Sequence, residues 1–371
     1  MNQLTIAQVE LYKLFIPLKE PFIISLGPIY NAENIIVVIK TQEGLAGYGE
    51  CSPFMSINGE SMDTCFIVGQ YFARLFMGKN ALAIPERIAE MDRLIYANSS
   101  IKSAFDMALY DLASQHAGLP LYKFIGGSND KVITTDYTVS IGDPDKMAND
   151  ALKILQEGYP AIKVKLGKNG SKDVERMKAI RKAVGNAIPL RIDANQGWDV
   201  DEAIETLNAM ATLDIQHCEE PIARWNYMQL PKVKKASPIP IMADESCGDE
   251  HDAERLIALD ACDYLNIKLG KAGGIFKALK IVELAKQKKM HLQVGAFMES
   301  RLAMTAFAHF SLCDPLIEHF DFDTALMFRE DPVDGGIVYG KNGVITVPET
   351  IGLGAKLQED WLDKLEKVII S

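Results

Sequence analysis

Carboxylates follow three successive apolar segments in the middle of the chain. Asp193 lies in RIDANQGW, Glu219 in HCEEP and Asp244 in MADES. Three acids brought together by neighbouring strands would repel one another unless a cation lies between them, and carboxylate oxygens suit Mg²⁺. Each acid taken singly could instead cap the helix that follows its strand. The repetition favours a site for one Mg²⁺ per subunit.

Lysines occupy a second set of strand ends. In AIKVKLG, residues 161–167, Lys163 and Lys165 alternate with aliphatic residues, so their side chains share one face of a strand. Lys268 in NIKLG ends a later strand. A lysine at a strand end is usually a solvated charge, but two lysines on opposite sides of one carbon could remove and return its proton. Because such bases act when neutral, we expect burial and nearby cations to lower their pKa.

An acidic pair completes the set of charged residues. Asp321 and Asp323 in FDFD are two residues apart and therefore share one face of the chain. They could serve as loop or helix caps, or they could bind a cationic group of a ligand. Together the charged residues predict an elongated substrate. Its carboxylate would lie on Mg²⁺, its reacting carbon between Lys165 and Lys268, and its ammonium at the acidic pair.

A scaffold is needed that brings these strand ends together. The second part of the chain repeats a short apolar strand, a polar loop and an amphipathic helix. The predicted strands are ITTDYTV, AIKVKL, PLRIDAN, IQHCEE, IPIMADE, YLNIKLG, HLQVGA and IEHFDFD. Parallel strands alternating with helices close into a barrel whose polar groups meet at the carboxyl ends. In a ring of eight strands the second faces the sixth, which places Lys165 across from Lys268.

The predicted fold class is therefore α/β, a (β/α)7β TIM-like barrel with an α+β capping domain. Residues 1–127 contain a predicted hairpin, NIIVVIKT and LAGYGECS, and helices that end in HAGLPLYKFIGG. They form the predicted capping domain, completed by the C-terminal tail 340–371 with its strand-like VITVP and a final helix. Residues 128–339 form the predicted catalytic barrel.

Composition limits the partners of this chain. With Lys+Arg 39 and Asp+Glu 50, its net charge of −11 argues against nucleic acid and anionic membrane as partners. No run reaches the roughly 18 apolar residues of a membrane span, and no basic-then-apolar leader opens the sequence. The six cysteines form no C-x-x-C pair, which favours reduced thiols. We expect a cytoplasmic homo-oligomer that acts on a small molecule.

In order and spacing, AIKVKLG, RIDANQGW, HCEEP, MADES and NIKLGKAGG resemble the enolase superfamily, in its muconate-lactonizing subgroup. FDFD and TDYTVS are similar to the dipeptide epimerases of that subgroup. Carried over to this chain, the resemblance implies Mg²⁺ ligands, an acid/base pair and ammonium-binding acids at the positions named above. It adds Lys163 as a cation that stabilises an enolate, and Thr138 and Ala296 as substrate contacts.

The loop that would select the substrate departs from the family pattern. Family members acting on Ala-Glu use an arginine in the first capping loop, whereas PFIISLGPIY has Gly27 at that place and no basic residue from 21 to 30. A buried carboxylate without a partner is costly, so we expect a small or hydrophobic second residue. These apolar residues could also pack at the domain interface. The expected walls are Ile23, Ile24, Leu26, Phe54, Met55 and Met298.

The predicted function is an Mg²⁺-dependent dipeptide epimerase that inverts the Cα of the C-terminal residue by 1,1-proton transfer through an enediolate. An o-succinylbenzoate synthase, a muconate cycloisomerase or an N-acylamino acid racemase could use the same lysines and acids. Their substrates have no free ammonium for the acidic pair. A Schiff-base aldolase would use Lys268 as a nucleophile without a metal. A non-catalytic binding barrel is the remaining alternative.

Overall fold

The computed structural model describes residues 3–371, which begin with an antiparallel hairpin and continue into helices. The long β-branched and aliphatic runs of the first two strands favour extended structure. The elements before the barrel are β1 (Ile6–Ile24), β2 (Gly27–Thr41), β3 (Ala46–Cys51), α1 (Met55–Asn58), α2 (Met62–Phe76), α3 (Ile84–Leu94), α4 (Ser99–Ala117) and α5 (Leu121–Phe124).

The middle of the chain alternates strands with helices. Its elements are β4 (Ile133–Thr134), β5 (Tyr137–Val139), α6 (Pro144–Gln156), β6 (Ile162–Lys165), α7 (Gly170–Val184), β7 (Leu190–Asp193), α8 (Val200–Ala209), β8 (Ile215–Glu219), α9 (Leu230–Ala236), β9 (Ile241–Ala243), α10 (Glu250–Ala258), β10 (Tyr264–Ile267), α11 (Leu269–Ala272), α12 (Ile275–Lys288), β11 (His291–Val294), α13 (Arg301–Ser311) and β12 (Ile317–Phe320). Strands β5 to β12 form one eight-stranded parallel sheet in sequence order. Its ends meet where the Asp136 N–H donates to the Phe320 carbonyl oxygen at 3.3 Å. The predicted TIM-like fold is confirmed.

The first predicted barrel strand, ITTDYTV, is broken into β4 and β5. The Thr135 hydroxyl donates to the Asp136 carbonyl oxygen at 2.8 Å and accepts the Phe322 N–H at 2.9 Å. The Asp136 carboxylate forms an ion pair with Arg191 at 2.8 Å. These contacts hold the residues between β4 and β5 away from the strand ladder, and of the two strands β5 alone joins the barrel sheet.

The chain after the barrel returns to the amino-terminal sheet. Its elements are β13 (Val333–Gly335), β14 (Val338–Tyr339), β15 (Val344–Thr346), β16 (Ala355–Leu357), α14 (Glu359–Leu362) and β17 (Lys367–Ile370). The prediction of a final helix is wrong, because α14 has a single turn and β17 pairs with the open edge of β1. The VITVP strand, β15, pairs with β4 rather than with that sheet. The division at residue 127 stays a prediction.

The amino-terminal sheet holds the loop that follows β11. The Glu50 carboxylate at the end of β3 accepts the N–H groups of Ser300 at 2.9 Å and Ala303 at 3.0 Å, at the start of α13. The Asn34 side chain donates to Glu50 at 2.8 Å and to the Met298 carbonyl oxygen at 2.7 Å. These bonds place residues 296–300 at the mouth of the barrel.

Two glycines of β3 allow α4 to pack closely on the sheet. A Cβ at Gly49 would lie 1.9 Å from the Ala104 carbonyl oxygen, and one at Gly47 would lie 2.2 Å from that of Ala108. Gly49→Ala should therefore lower the free energy of unfolding by about 2–3 kcal/mol, since the backbone must shift. Urea denaturation measures this. Gly142→Ala, with its nearest contact at 3.6 Å, is the control, and equal stability of both variants would contradict the packing argument.

Candidate active site

Three carboxylates lie together at the carboxyl ends of β7, β8 and β9. Asp193 and Glu219 are register partners, and Asp244 directly follows β9. All three are fully buried, and one oxygen of each lies within 4.8 Å of the others. This donor set consists only of hard oxygen ligands and fits Mg²⁺. The predicted metal-binding acids therefore form a group that can hold one Mg²⁺.

The residues beside these acids orient them. The Asn195 N–H donates to Asp193 Oδ1 at 2.8 Å, and the Asp244 N–H donates to Glu220 Oε2 at 2.8 Å. The Asn195 amide also reaches Glu245 at 3.3 Å. Buried oxygens without a partner remain at Asn195 Oδ1 and Glu245 Oε2. Unpaired acceptors next to a carboxylate cluster are favourable neighbours for a hydrated cation.

Two lysines approach these acids from opposite sides. Lys165 Nζ on β6 lies 2.6 Å from Asp193 Oδ2, and Lys268 Nζ after β10 lies 2.7 Å from Asp244 Oδ2. The strands β6 and β10 are the second and sixth of the eight, which face each other across a closed barrel. Both side chains line one cavity. The geometry can therefore present an amine to each face of a bound carbon atom.

Lys163 has a different environment although it is only two residues from Lys165. It is 1% exposed, and its Nζ lies 2.7 Å from both Glu219 and Asp321. Burial lowers its pKa, but the attraction of Asp321 and Glu219 outweighs burial, so the pKa lies well above the ordinary value. Lys163 therefore lies as a favoured cation between the metal-binding acids and β12.

Among the protein groups alone, the pKa of Lys268 shifts in the direction opposite to the expected lowering. Burial lowers the pKa, but the attraction of Asp244 and Glu219 is stronger and raises the pKa. Conversely, burial and the repulsion from Asp193 raise the pKa of Glu219 to about 8. Positive charge that neutralises these acids would remove the attraction that raises the pKa of Lys268.

The acidic pair after β12 borders the far end of the same cavity. Asp321 Oδ2 accepts Lys163 Nζ at 2.7 Å, and Asp323 Oδ2 accepts the Thr138 N–H at 2.7 Å. Asp323 Oδ1 is buried without a partner. Burial and the negative charge of Asp321 raise the pKa of Asp323 well above its ordinary value. A cationic ligand group placed here would supply the missing partner and stabilise the carboxylate.

One cavity lies between these groups. Predicted wall and contact residues in its lining are Ile24, Phe54, Thr138, Ala296 and Met298.

Three predicted wall residues lie outside that lining, as does Gly27 of the loop expected to select the substrate. Leu26 and Gly27 sit at the tip of the β1–β2 hairpin, where Ile24 and Gly27 are register partners and Leu26 is 40% exposed. Ile23 alternates away from the cavity along β1 and borders a separate groove. Met55 is exposed to solvent. Their contribution to the substrate-binding wall stays a prediction.

Sequence reasoning missed two aromatic rings that face the lysines. The Phe297 ring centroid lies 4.8 Å from Lys268 Nζ, and the Phe22 ring centroid lies 5.9 Å from Lys165 Nζ. Both rings line the cavity. The sequence gives little sign of their place in the site: Phe297 follows Ala296, and Phe22 lies in the apolar loop. An apolar aromatic residue by itself indicates only a hydrophobic core.

Two family models match this chain. The model described as mandelate racemase / muconate lactonizing enzyme, N-terminal domain, matches residues 6–126. The model described as enolase C-terminal domain-like matches residues 146–361. Together these matches cover most of the two parts described above.

Curated relatives match over nearly their full length. A D-Ala-D/L-Ala epimerase of Cytophaga hutchinsonii is 58% identical over 99% of this chain and 100% of the relative. An L-Ala-D/L-Glu epimerase of Bacillus subtilis is 39% identical over 94% of this chain and 96% of the relative. A crystal structure of the dipeptide epimerase from Cytophaga hutchinsonii, complexed with Mg and D-Ala-L-Val, superimposes with a TM-score of 0.98 at 58% identity, covering 99% and 100% of the two chains.

Mg²⁺ should stabilise this protein through the three acids. At a concentration of 100 times the dissociation constant, the expected gain in unfolding free energy is about 2.7 kcal/mol. Because the carboxylate form binds the cation, the affinity should rise as pH increases toward the Glu219 pKa of about 8. Thermal unfolding in EDTA and in MgCl₂ at several pH values measures both effects.

Glu219→Gln should abolish the shift in unfolding temperature caused by Mg²⁺. The control Glu318→Gln, a change at an exposed ion pair, should keep that shift. A shift retained by Glu219→Gln would reject the site.

Proposed function

The chain belongs to the enolase superfamily, as a member of the mandelate racemase / muconate lactonizing enzyme family, and from this premise we propose that it is a dipeptide epimerase. The enzyme is an Mg²⁺-dependent isomerase that inverts the Cα of the C-terminal residue. The observation that carries the proposal is the placement of Lys165 and Lys268 on opposite sides of one cavity that also borders Asp321 and Asp323.

The two lysines exchange one proton for another at the substrate carbon. The neutral amine of one lysine takes the Cα proton, and the ammonium of the other lysine delivers its proton to the opposite face. The carbon is inverted, and the two lysines end with exchanged protonation states. Because either lysine can begin neutral, the same residues run the reaction in both directions.

Positive charge next to the substrate carboxylate makes the Cα proton more acidic. Asp193, Glu219 and Asp244 would hold Mg²⁺, which would polarise the substrate carboxylate and favour the neutral form of Lys268. Lys163, held 2.7 Å from Glu219, would add an ammonium that stabilises the negative charge formed as the Cα proton leaves. A charge placed before the reaction stabilises the transition state without reorganisation.

The free amino end of the substrate is bound by Asp321 and Asp323. The unpaired Asp323 Oδ1 is the specific support for this assignment, because a buried carboxylate oxygen needs a donor. N-acylated and lactone-forming substrates carry no free α-ammonium to supply one. This difference favours a dipeptide epimerase over a cycloisomerase or an N-acylamino acid racemase on the same scaffold.

The preferred dipeptide has a small or apolar C-terminal residue. The basic residues in the cavity lining are the two lysines already assigned to proton transfer. An acidic side chain would therefore remain without a cationic partner at the wall formed by Ile24, Phe54 and Met298. The name of the 58% identical relative, D-Ala-D/L-Ala epimerase, supports a small residue here.

The oligomeric state and the cellular location of the enzyme stay predictions. We infer a homo-oligomer in the cytoplasm, which gel filtration with light scattering and cell fractionation would test. Within residues 3–371 the structure has no helix that is both long and apolar enough to cross a membrane.

Each lysine should remove the Cα proton from one of the two epimers. In D₂O with Mg²⁺, the wild-type enzyme should incorporate deuterium at the C-terminal Cα of both D-Ala-D-Ala and D-Ala-L-Ala. Lys165→Ala should lose exchange with one of the two epimers and Lys268→Ala with the other, by about 10²–10⁴-fold. Neither variant should interconvert them. Mass spectrometry and NMR measure exchange and inversion, and Lys280→Ala, at an exposed lysine, is the control. Inversion at the wild-type rate in either lysine variant would refute the mechanism.

The acidic pair should make the enzyme prefer dipeptides with a free amino group over N-acylated dipeptides. Asp323→Asn keeps an acceptor for the Thr138 N–H but removes the charge that faces the substrate ammonium. Its kcat/KM for alanine dipeptides should fall about 100-fold, as expected for the loss of about 3 kcal/mol from one charged hydrogen bond. Epimerisation assays with free and N-acetylated Ala-Ala measure this. Equal turnover of both substrates by the wild-type enzyme would favour an N-acylamino acid racemase.

A further inference from the structure

Lys271 is a further buried lysine at the mouth of the barrel. It lies in α11, three residues after Lys268, and is 6% exposed. Residues three apart in a helical turn lie on the same side, so both lysines reach toward β9. Lys268 lines the cavity and Lys271 does not. Lys271 is therefore placed behind the site and away from the substrate.

All of the donors of Lys271 are directed at fixed acceptors. Its Nζ lies 2.5 Å from Asp244 Oδ1, donates to the Asp244 carbonyl oxygen, and donates to the Asn266 carbonyl oxygen at 3.0 Å. A lysine ammonium has three protons, and these contacts use all three. One side chain thus holds both the carboxylate and the backbone of Asp244, and ties them to the end of β10.

The two oxygens of the Asp244 carboxylate bond to two different lysines. Oδ1 bonds to Lys271, whereas Oδ2 bonds to Lys268 at 2.7 Å. If Lys271 were absent, Oδ1 would lose its ammonium partner within the buried cluster, and the carboxylate could rotate about its Cβ–Cγ bond. A buried charge that loses a partner is strongly unfavourable. Lys271 therefore fixes which oxygen of Asp244 faces the other acids.

Lys271 also contributes to the charge balance of the cluster. Asp193, Glu219 and Asp244 carry three negative charges when ionised, and a divalent cation supplies two positive charges. Lys163 lies against Glu219 and shares its charge with Asp321, whereas Lys271 lies against Asp244. Asp244 therefore keeps an ammonium partner apart from Lys268.

We propose that Lys271 is a positioning residue that fixes Asp244 for binding of the divalent cation. The inference rests on the proposed function in assigning the three acids to Mg²⁺, and it adds a residue outside that set. Groups that hydrogen-bond to a metal ligand from behind typically change metal affinity by 10–100-fold. Lys271 makes this contribution without touching the substrate.

Titration of the EDTA-treated full-length protein with MgCl₂ by isothermal calorimetry tests the proposal. Lys271→Met, which keeps the aliphatic stem and removes the donors, should raise the Mg²⁺ dissociation constant by about 10–100-fold. Lys280→Met, at an exposed lysine paired with Glu250 at 3.1 Å, should bind Mg²⁺ as the wild-type protein does. If circular dichroism shows that Lys271→Met is unfolded, Lys271→Gln, which retains two N–H donors, is titrated and should also bind more weakly.

The outcomes separate positioning from a purely structural role. A structural role would lower the unfolding temperature in EDTA and leave the Mg²⁺ dissociation constant at the wild-type value, which would overturn the proposal. A wild-type protein that binds no Mg²⁺ would overturn the proposed function together with this inference. Tight wild-type binding with weakened binding only in the Lys271 variants supports both.

Discussion

The burial of like charges at one end of the barrel is the constraint on which the rest of the structure depends. Three carboxylates share a space in which their oxygens lie within 4.8 Å of one another, shielded from solvent. Unpaired buried ions cost several kcal/mol each, so every acid must have a cationic neighbour. The acids are Asp193, Glu219 and Asp244, and their ammonium partners are Lys165, Lys163 and Lys268.

This charge cluster requires a cover, which the amino-terminal sheet provides. The Ile23 N–H donates to the Ser140 hydroxyl at 3.3 Å, and the Ile141 N–H donates to the Ile23 carbonyl oxygen at 3.0 Å. The Ser25 hydroxyl donates to the Asn195 carbonyl oxygen at 2.7 Å. The hairpin that carries part of the cavity wall is thus bonded to the loops after β5 and β7. Asn195 also bonds to Asp193. The hairpin is therefore connected through Asn195 to one of the metal-binding acids.

Local patterns predicted the repeating architecture well, and they failed where a distant segment supplied the partner. The strand and helix alternation appears in β5 to β12 because buried parallel strands need continuous apolar runs. The segment 133–139 also looks like one strand, but Thr135 and Asp136 bond to residues far along the chain and break it. At the C-terminus, the open edge of β1 decides that residues 367–370 are extended. Neither partner is visible in the local sequence.

By itself the sequence determined the class of chemistry: acids at three strand ends, lysines at two opposing strands, and an acidic pair at the last strand. Period-two alternation fixes which residues share a face, and that rule needs no tertiary information. Only the tertiary structure decided the direction of the Lys268 pKa, the part of the hairpin that lines the cavity, and the attachment of Lys271 to Asp244. Each of these depends on distances between charges and side chains from separate segments, and Coulomb interactions are set by such distances and by burial.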